Sequence, residues 1–140
     1  MIKIRRYQNS DYSFVIKNLK EADMFRSDFD SKKILSQKIS SAKDSILVAV
    51  EDTKVVGSVY LIEDPFHCFI FRLVVNKNYR KRGIGSMLLQ EAEMVLKKKG
   101  FTNLLLLVNK KETKRLTPFY EKHGYEKSSS KHQLFFKKLN

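Results

Sequence analysis

"NYRKRGIGSMLLQEAE", residues 78–93, holds the side chains best placed for chemistry in this 140-residue chain. With Lys77 just ahead, Arg80, Lys81 and Arg82 bring cations to one turn, and Gly83 and Gly85 follow before a segment of helical period. A strand feeding such a turn into a helix N-terminus points several unpaired backbone N–H groups at one spot, where the helix dipole adds positive character. Glycines let an anion approach that main chain closely, so the stretch has the makings of a phosphate or diphosphate site. It is neither of the common nucleotide loops. "RKRGIGSM" lacks the Lys-Ser/Thr of G-x-x-x-x-G-K-[ST] and the third glycine of G-x-G-x-x-G. On these residues alone, a glycine turn with solvated surface cations explains the stretch equally well.

The surrounding pattern tells what must position this turn. "IKIRRY" alternates apolar and basic residues and reads as a first strand. "SDYSFVIKNLKEA" opens on Ser10, a cap-type residue, and "DSKKILSQKISSA" repeats the helical period, so two helices are expected. "SILVAVE" and "KVVGSVYLIE" form a hairpin signal around "DTK", and "CFIFRLVV" is a third strand of central character. After the basic loop, Ile84, Leu88, Ala92, Val95 and Leu96 recur at helical spacing up to Gly100. "TNLLLLV" has the composition of a strand covered on both faces. "ETKRLTPFYEKHG" reads as a helix ending at Gly124, with Pro118 suited to its first turn and Thr117 to its cap, hence short or kinked. "YEKSSSKHQLFFKKL" closes the chain as a hairpin-like strand pair.

Composition sets the outer bounds. The chain is 42% hydrophobic and 31% charged, as for one globular domain, and its longest apolar runs are far short of the roughly 20 residues that span a bilayer. No membrane association is expected, nothing at the N-terminus marks export, and a cytoplasmic location is the expectation. Cys68 is the lone cysteine, which excludes an internal disulfide framework and a cysteine metal cluster. The net charge of +13 is uneven: residues 65–140 carry seventeen basic and five acidic side chains, residues 21–64 six basic and nine acidic. A polyanionic partner therefore belongs to the second half, where the glycine turn sits.

Arg80-x-x-Gly83-x-Gly85, after an apolar strand and opening an amphipathic helix, resembles the acyl-CoA loop R/Q-x-x-G-x-G/A of the GNAT superfamily of N-acetyltransferases. "FYEKHGY", Phe119 to Tyr125, is similar to the family's F-Y-x-x-x-G-F/Y segment and follows the strand "LLLLV". The order of elements agrees with the family over essentially the whole chain. The resemblance implies an α+β (α/β/α) fold: one domain over residues 1–140, with a mixed, mostly antiparallel sheet of about six or seven strands and helices on both faces. It also implies acetyl-CoA as donor, no metal, and transfer to a primary amine by direct attack on the thioester without a covalent enzyme intermediate.

By position, the resemblance places pantetheine and the thioester carbonyl along the backbone of Leu73, Val74 and Val75. Arg80 and the loop amides Lys81, Arg82, Gly83, Ile84, Gly85 and Ser86 would hold the diphosphate. Tyr120 corresponds to the tyrosine that donates to the departing thiolate. Thr113 stands where the family often has a cofactor-contacting Asn, and Leu116 where a small Ala is usual, so the start of that helix departs from the pattern.

A thiol with pKa near 8.5 leaves readily, so a phenol with pKa about 10 serves mainly as a hydrogen-bond donor. The sequence does not single out a base. Glu63, Asp64 and His67 lie together between two strands, with Glu63 taken forward as the candidate, His67 read as a loop residue and Cys68 as a small core residue. In some family members a carboxylate sits on the strand before the loop, but that position here is Phe69. The resemblance implies that acceptors meet the segment joining the first two helices, where Glu21, Asp23, Asp28 and Asp30 would form an acidic lip for a cationic amine, with Asp28 and Asp30 as the candidates. Ordinary solvated acids around a loop explain them equally well. Two other classes of reading remain at this stage: a basic nucleic-acid-binding module, and a non-catalytic acyl-CoA-binding regulator of the same fold. No nucleic-acid motif appears, so nucleic acid is not the expected partner. Final strands of this kind can pair between subunits, which leaves a homodimer open. The acceptor amine is not named by any residue.

Overall fold

The computed structural model describes residues 1–128 and 132–139, which fall into two compact units, Met1–Val108 and Asn109–Asn140. In the first unit the order is β1 (Ile2–Arg6), α1 (Tyr12–Glu21), α2 (Ser27–Asp30), α3 (Lys32–Ser41), β2 (Ile46–Glu51), β3 (Lys54–Glu63), β4 (Cys68–Val75), α4 (Ile84–Lys98) and β5 (Leu105–Leu106). The second unit contains α5 (Thr113–Lys122). No helix among the described residues is long and apolar enough to cross a membrane.

The five strands lie in the order β1-β2-β3-β4-β5, antiparallel as far as β4 and parallel between β4 and β5. Alternation along the strands sends one set of side chains to each face. Ile46, Val48, Val55, Tyr60 and Val74 pack with Val15, Ile16 and Leu19 of α1 and Leu35 of α3. On the opposite face lies α4, whose Ile84, Leu88, Leu89, Ala92 and Leu96 are buried, close to the helical stripe read from the sequence. Ser31 caps α3 by accepting from the Ile34 N–H at 3.2 Å. Ser10 does not cap α1; it sits in a 3-10 turn, and Asp11 instead accepts from the Gln8 N–H at 2.9 Å.

Gly57 of β3 lies close against Leu88 and Ile84 of α4. A Cβ there would lie 3.0 Å from the Val74 carbonyl oxygen and 3.1 Å from Leu88 Cδ1. Gly57→Ala should therefore lower stability by about 1–3 kcal/mol through overpacking. Urea unfolding measures this, and an unmoved midpoint would mean that α4 shifts away freely.

Two expected elements come out differently. Helix α5 starts at Thr113 and carries Pro118 in its interior rather than at its first turn. Proline has no N–H for the Lys114 carbonyl, while the Thr117 hydroxyl donates to the Thr113 carbonyl at 2.6 Å. The expected closing strand pair includes residues 129–131, which lie outside the described residues; residues 125–128 and 132–139 form no strand. Leu134, Phe135, Phe136 and Leu139 are each at least 86% exposed. The sheet of the described residues thus has five strands rather than six or seven. A strand exists only where a neighbour takes its N–H and C=O groups, and an apolar pattern does not by itself supply that neighbour.

Candidate functional site

Strand β4 changes partners along its length. Its first half is held on both edges: Phe69 and Ile70 pair with β5, the Leu107 N–H donates to the Ile70 carbonyl at 3.0 Å, and β3 runs along the other side. Beyond Ile70 the β4–β5 ladder ends, so Arg72–Val75 has β3 on one edge and no strand on the other among the described residues. At the same place β4 bulges. Arg72 and Leu73 stand opposite the single residue Val59 of β3, between the Tyr60–Phe71 and Ser58–Val74 pairs. The main chain of Leu73–Val75 therefore lies along an open edge of the strand, an opening in the pairing of β4 among the described residues.

The turn that follows is built around Asn76. Its Oδ1 accepts from the Asn78 N–H at 2.9 Å, its N–H donates to the Val56 carbonyl at 2.8 Å, and its Nδ2 donates to Asn18 of α1 at 3.0 Å. Asn18 is buried and in turn donates to the Val55 carbonyl. A 3-10 turn (Lys77–Tyr79) leads to Lys81, with φ +63°, and Gly83, with φ +78°. Left-handed backbone is costly for most residues and free for glycine. Gly83 takes the N-cap position of α4 without any side chain to cap it, and nothing lies within 4 Å of where its Cβ would be. The first helical bond runs from the Met87 N–H to the Gly83 carbonyl. Among the described residues, the start of α4 thus has room beside Gly83 and no cap from that residue at its positive end.

The cations are arranged unequally. Arg80 turns back and donates through Nε to the Val75 carbonyl at 3.2 Å. Arg82 pairs with Glu51 at 2.5 Å, with its guanidinium 5.3 Å from the Tyr79 ring centre. Lys77 and Lys81 are exposed and form no ion pair among the described residues. Room beside Gly83 at the start of a helix, a glycine that permits close approach, and the Lys77 and Lys81 ammonium groups fit a diphosphate-bearing group.

The residues expected around an acceptor are placed as follows. Asp30 is fully buried: its carboxylate accepts from Tyr60 Oη at 2.8 Å, from the Arg26 N–H at 2.8 Å, and from Arg72 Nη2. Asp28 is exposed and held by both Nε and Nη2 of Arg26, at 3.0 and 2.6 Å. Neither carboxylate is an unpaired lip. Glu63 ends β3 five residues beyond Ser58, roughly 17 Å along the strand, and accepts from Lys99 at 2.6 Å. The structure does not bring it to the opening. His67 is exposed in the β3–β4 turn, and Cys68 is buried with its thiol pushed up by that burial, its Sγ donating to the Asn103 carbonyl at 3.2 Å. Among the described residues no group of three His, Cys, Asp or Glu could hold a metal ion.

In the second unit, Thr113 is the first residue of α5 and its hydroxyl donates to the Asn109 carbonyl at 3.3 Å. Tyr120 is buried, with its ring against Phe119 and Tyr125 at centroid distances of 5.1 and 5.9 Å. Burial pushes its phenol up to about 12, against a smaller opposing effect of Arg115. It is therefore a protonated donor throughout the neutral range.

Sequence reasoning passed over Arg72, Asn76 and Asn18. The signal was present for Arg72, a lone charge inside the apolar run "CFIFRLVV". A charge at a central-strand position needs a buried partner, which directs attention to the acidic segment between α1 and α3. Asn76 and Asn18 carry no comparable mark.

Known proteins resemble this chain over most of its length. The acetyltransferase (GNAT) family model matches residues 4–125. An acetyltransferase of Sodalis glossinidius is 29% identical over 129 residues, 92% of this chain and 90% of that protein. One of Pectobacterium atrosepticum is 28% identical over 125 residues, 89% of this chain and 88% of that protein. The PaiA N-acetyltransferase of Thermoplasma acidophilum, whose crystal structure is in complex with coenzyme A, superposes with a TM-score of 0.74 at 24% identity, covering 87% of this chain and 88% of that one. With an open edge on β4, a left-handed glycine at the start of α4, and a family match across most of its length, this chain belongs to the GNAT family of acetyltransferases and is an acyltransferase.

Proposed function

We propose that the protein transfers an acetyl group from acetyl-CoA to a primary amine by direct attack of the amine on the thioester. The observation that carries this reading is the open edge of β4 beyond Ile70, which leads within a few residues to the left-handed Gly83 at the start of α4. Bound acetyl-CoA supplies an acyl thioester, an electrophile that needs no prior activation by the protein. The amides of Lys81 to Ser86 and the helix dipole bind the diphosphate, with Lys77 and Lys81 adding charge. Main-chain groups of Leu73–Val75 on the free edge of β4 align the pantetheine arm and stabilise negative charge on the acyl oxygen as the amine attacks. Tyr120 keeps its proton and donates a hydrogen bond to the leaving sulfur. Direct transfer is favoured because Cys68, the lone thiol, is buried and bonded to a carbonyl.

Free-thiol release from acetyl-CoA across a panel of primary amines tests the function. Release above background with at least one amine is expected, and none with any amine would count against it. Gly83 supplies a second check on the donor. A β-branched residue at φ +78° costs about 1–2 kcal/mol, so Gly83→Val should weaken coenzyme A binding about tenfold or more. Calorimetric titration measures it. An unchanged affinity would remove the α4 turn from the donor site.

A further inference from the structure

At the bulge, Arg72 has φ +59°, the left-handed region that a residue with a long side chain adopts only when its surroundings hold it there. The surroundings are unusual. One Nη2 of Arg72 serves both the Asp30 carboxylate and, at 2.5 Å, the Met24 carbonyl. The Asp30 carboxylate is closed in by Tyr60 and by the Arg26 N–H, and its own carbonyl accepts from Tyr12 Oη at 2.9 Å. The Arg72 guanidinium faces the Phe29 ring at 5.6 Å, and the rings of Phe71 and Tyr60 meet edge to face at 5.4 Å. The α1–α3 segment is thus bolted to β4 at one residue, by a pair of which Asp30 is fully buried and the Arg72 side chain is 10% exposed.

The bolt lies where β4 has lost the support of β5. An extended strand without the bulge would be shifted by one residue past this point, and a one-residue shift turns every following side chain to the other face. Val74, buried at 4% exposure in the core under α1, secures the register beyond the bulge. It does not secure the conformation of Arg72. Relaxation of Arg72 toward ordinary extended backbone would rotate the peptide groups that enter Leu73. Strand pairing elsewhere does not oppose that rotation, because Arg72 and Leu73 face Val59 without a one-to-one partner. The Asp30–Arg72 pair does.

We propose that Asp30 and Arg72 are positioning residues for acyl transfer, whose ion pair holds the β4 bulge so that the Leu73–Val75 main chain faces the acyl thioester. This rests on the reading of the β4 opening as the acyl-donor site. The device separates alignment from affinity: the diphosphate end of the donor binds at the α4 turn, away from the bulge, while the reacting end depends on the bulge.

Asp30→Asn keeps the shape and the acceptor for Tyr60 while removing the charge that faces Arg72. Arg72→Lys keeps a cation but loses the planar fork, so it serves if the first variant does not fold. Either folded variant should show amide hydrogen exchange at Leu73–Val75 accelerated about tenfold or more, with exchange in β2 unchanged. Its kcat should fall about 10²-fold, as expected of a small misplacement of reacting groups, while the Kd for coenzyme A stays within about threefold. Unchanged exchange and kcat in a folded variant would overturn the proposal. So would a loss of coenzyme A affinity in step with kcat, which would mark a general disturbance. The exchange measurement needs no turnover, so it decides the role of the pair even if the wild-type protein releases no thiol from acetyl-CoA, a result that would instead overturn the donor reading.

Discussion

Replacing Tyr120 by Phe should slow acetyl transfer about 10²-fold, at the low end of what a positioned proton or hydrogen-bond donor contributes. The low end is expected because a thiol near pKa 8.5 departs as thiolate with little help. The phenol is well suited to donate without ionising, since burial holds it up to about 12. The sign of the pH dependence follows. An acid whose pKa is raised stays protonated longer, so Tyr120 remains a donor up to about pH 12. Any fall in wild-type activity between about pH 8 and 10 should then persist in Tyr120→Phe. Coenzyme A affinity should be kept, because the hydroxyl is proposed to act on the leaving sulfur and not on the diphosphate. Steady-state kinetics with a titration of coenzyme A separates the two. Unchanged turnover in the variant would take Tyr120 out of the mechanism.

Asp30→Ala should be the most destabilising single change at the opening, by about 3–5 kcal/mol. The cause is less the loss of attraction than what remains. Arg72 would stay inside the fold with its charge uncompensated, beside a Tyr60 hydroxyl that has lost its acceptor. For a chain of this length the loss corresponds to a fall in melting temperature of about 10–20 °C. Differential scanning calorimetry of the variant measures it. A shift below about 3 °C would mean that water or a neighbouring side chain takes over the carboxylate's bonds. The contrast with Asp28 is instructive. Its ion pair with Arg26 is exposed on both sides, and pairs of that kind contribute little to stability.

These two aspartates show where reading from the sequence stops. Both lie in "KEADMFRSDFDS", and charge counting treats them alike, as an acidic lip toward an amine. Only the packing of α1–α3 on β4 separates them, by folding Asp30 beneath Tyr60 and leaving Asp28 on the surface. Glu63 is a similar case: next to a turn in sequence, it is drawn to Lys99 at the end of α4, 36 residues away. Contacts of that range depend on how elements stack, about which local period and charge say nothing.

What the sequence by itself determined is what short-range chemistry controls. The helical stripe of α4, the strand runs of β1 to β4, and the glycine turn with its cations all follow from spacing within a few residues. The family pattern Arg80-x-x-Gly83-x-Gly85 with "FYEKHGY" is of the same kind. Gly83 suits its position because its backbone is left-handed, and that need is local. Tertiary structure alone decided the rest. The bulge at Arg72, the end of the β4–β5 ladder at Ile70, and the absence of strand at residues 132–139 depend on which edges meet. An edge is a relation between two segments, and the hydrogen bonds that make it are identical for every residue type. A sequence can therefore specify that a strand will form more readily than it can specify where that strand will be let go.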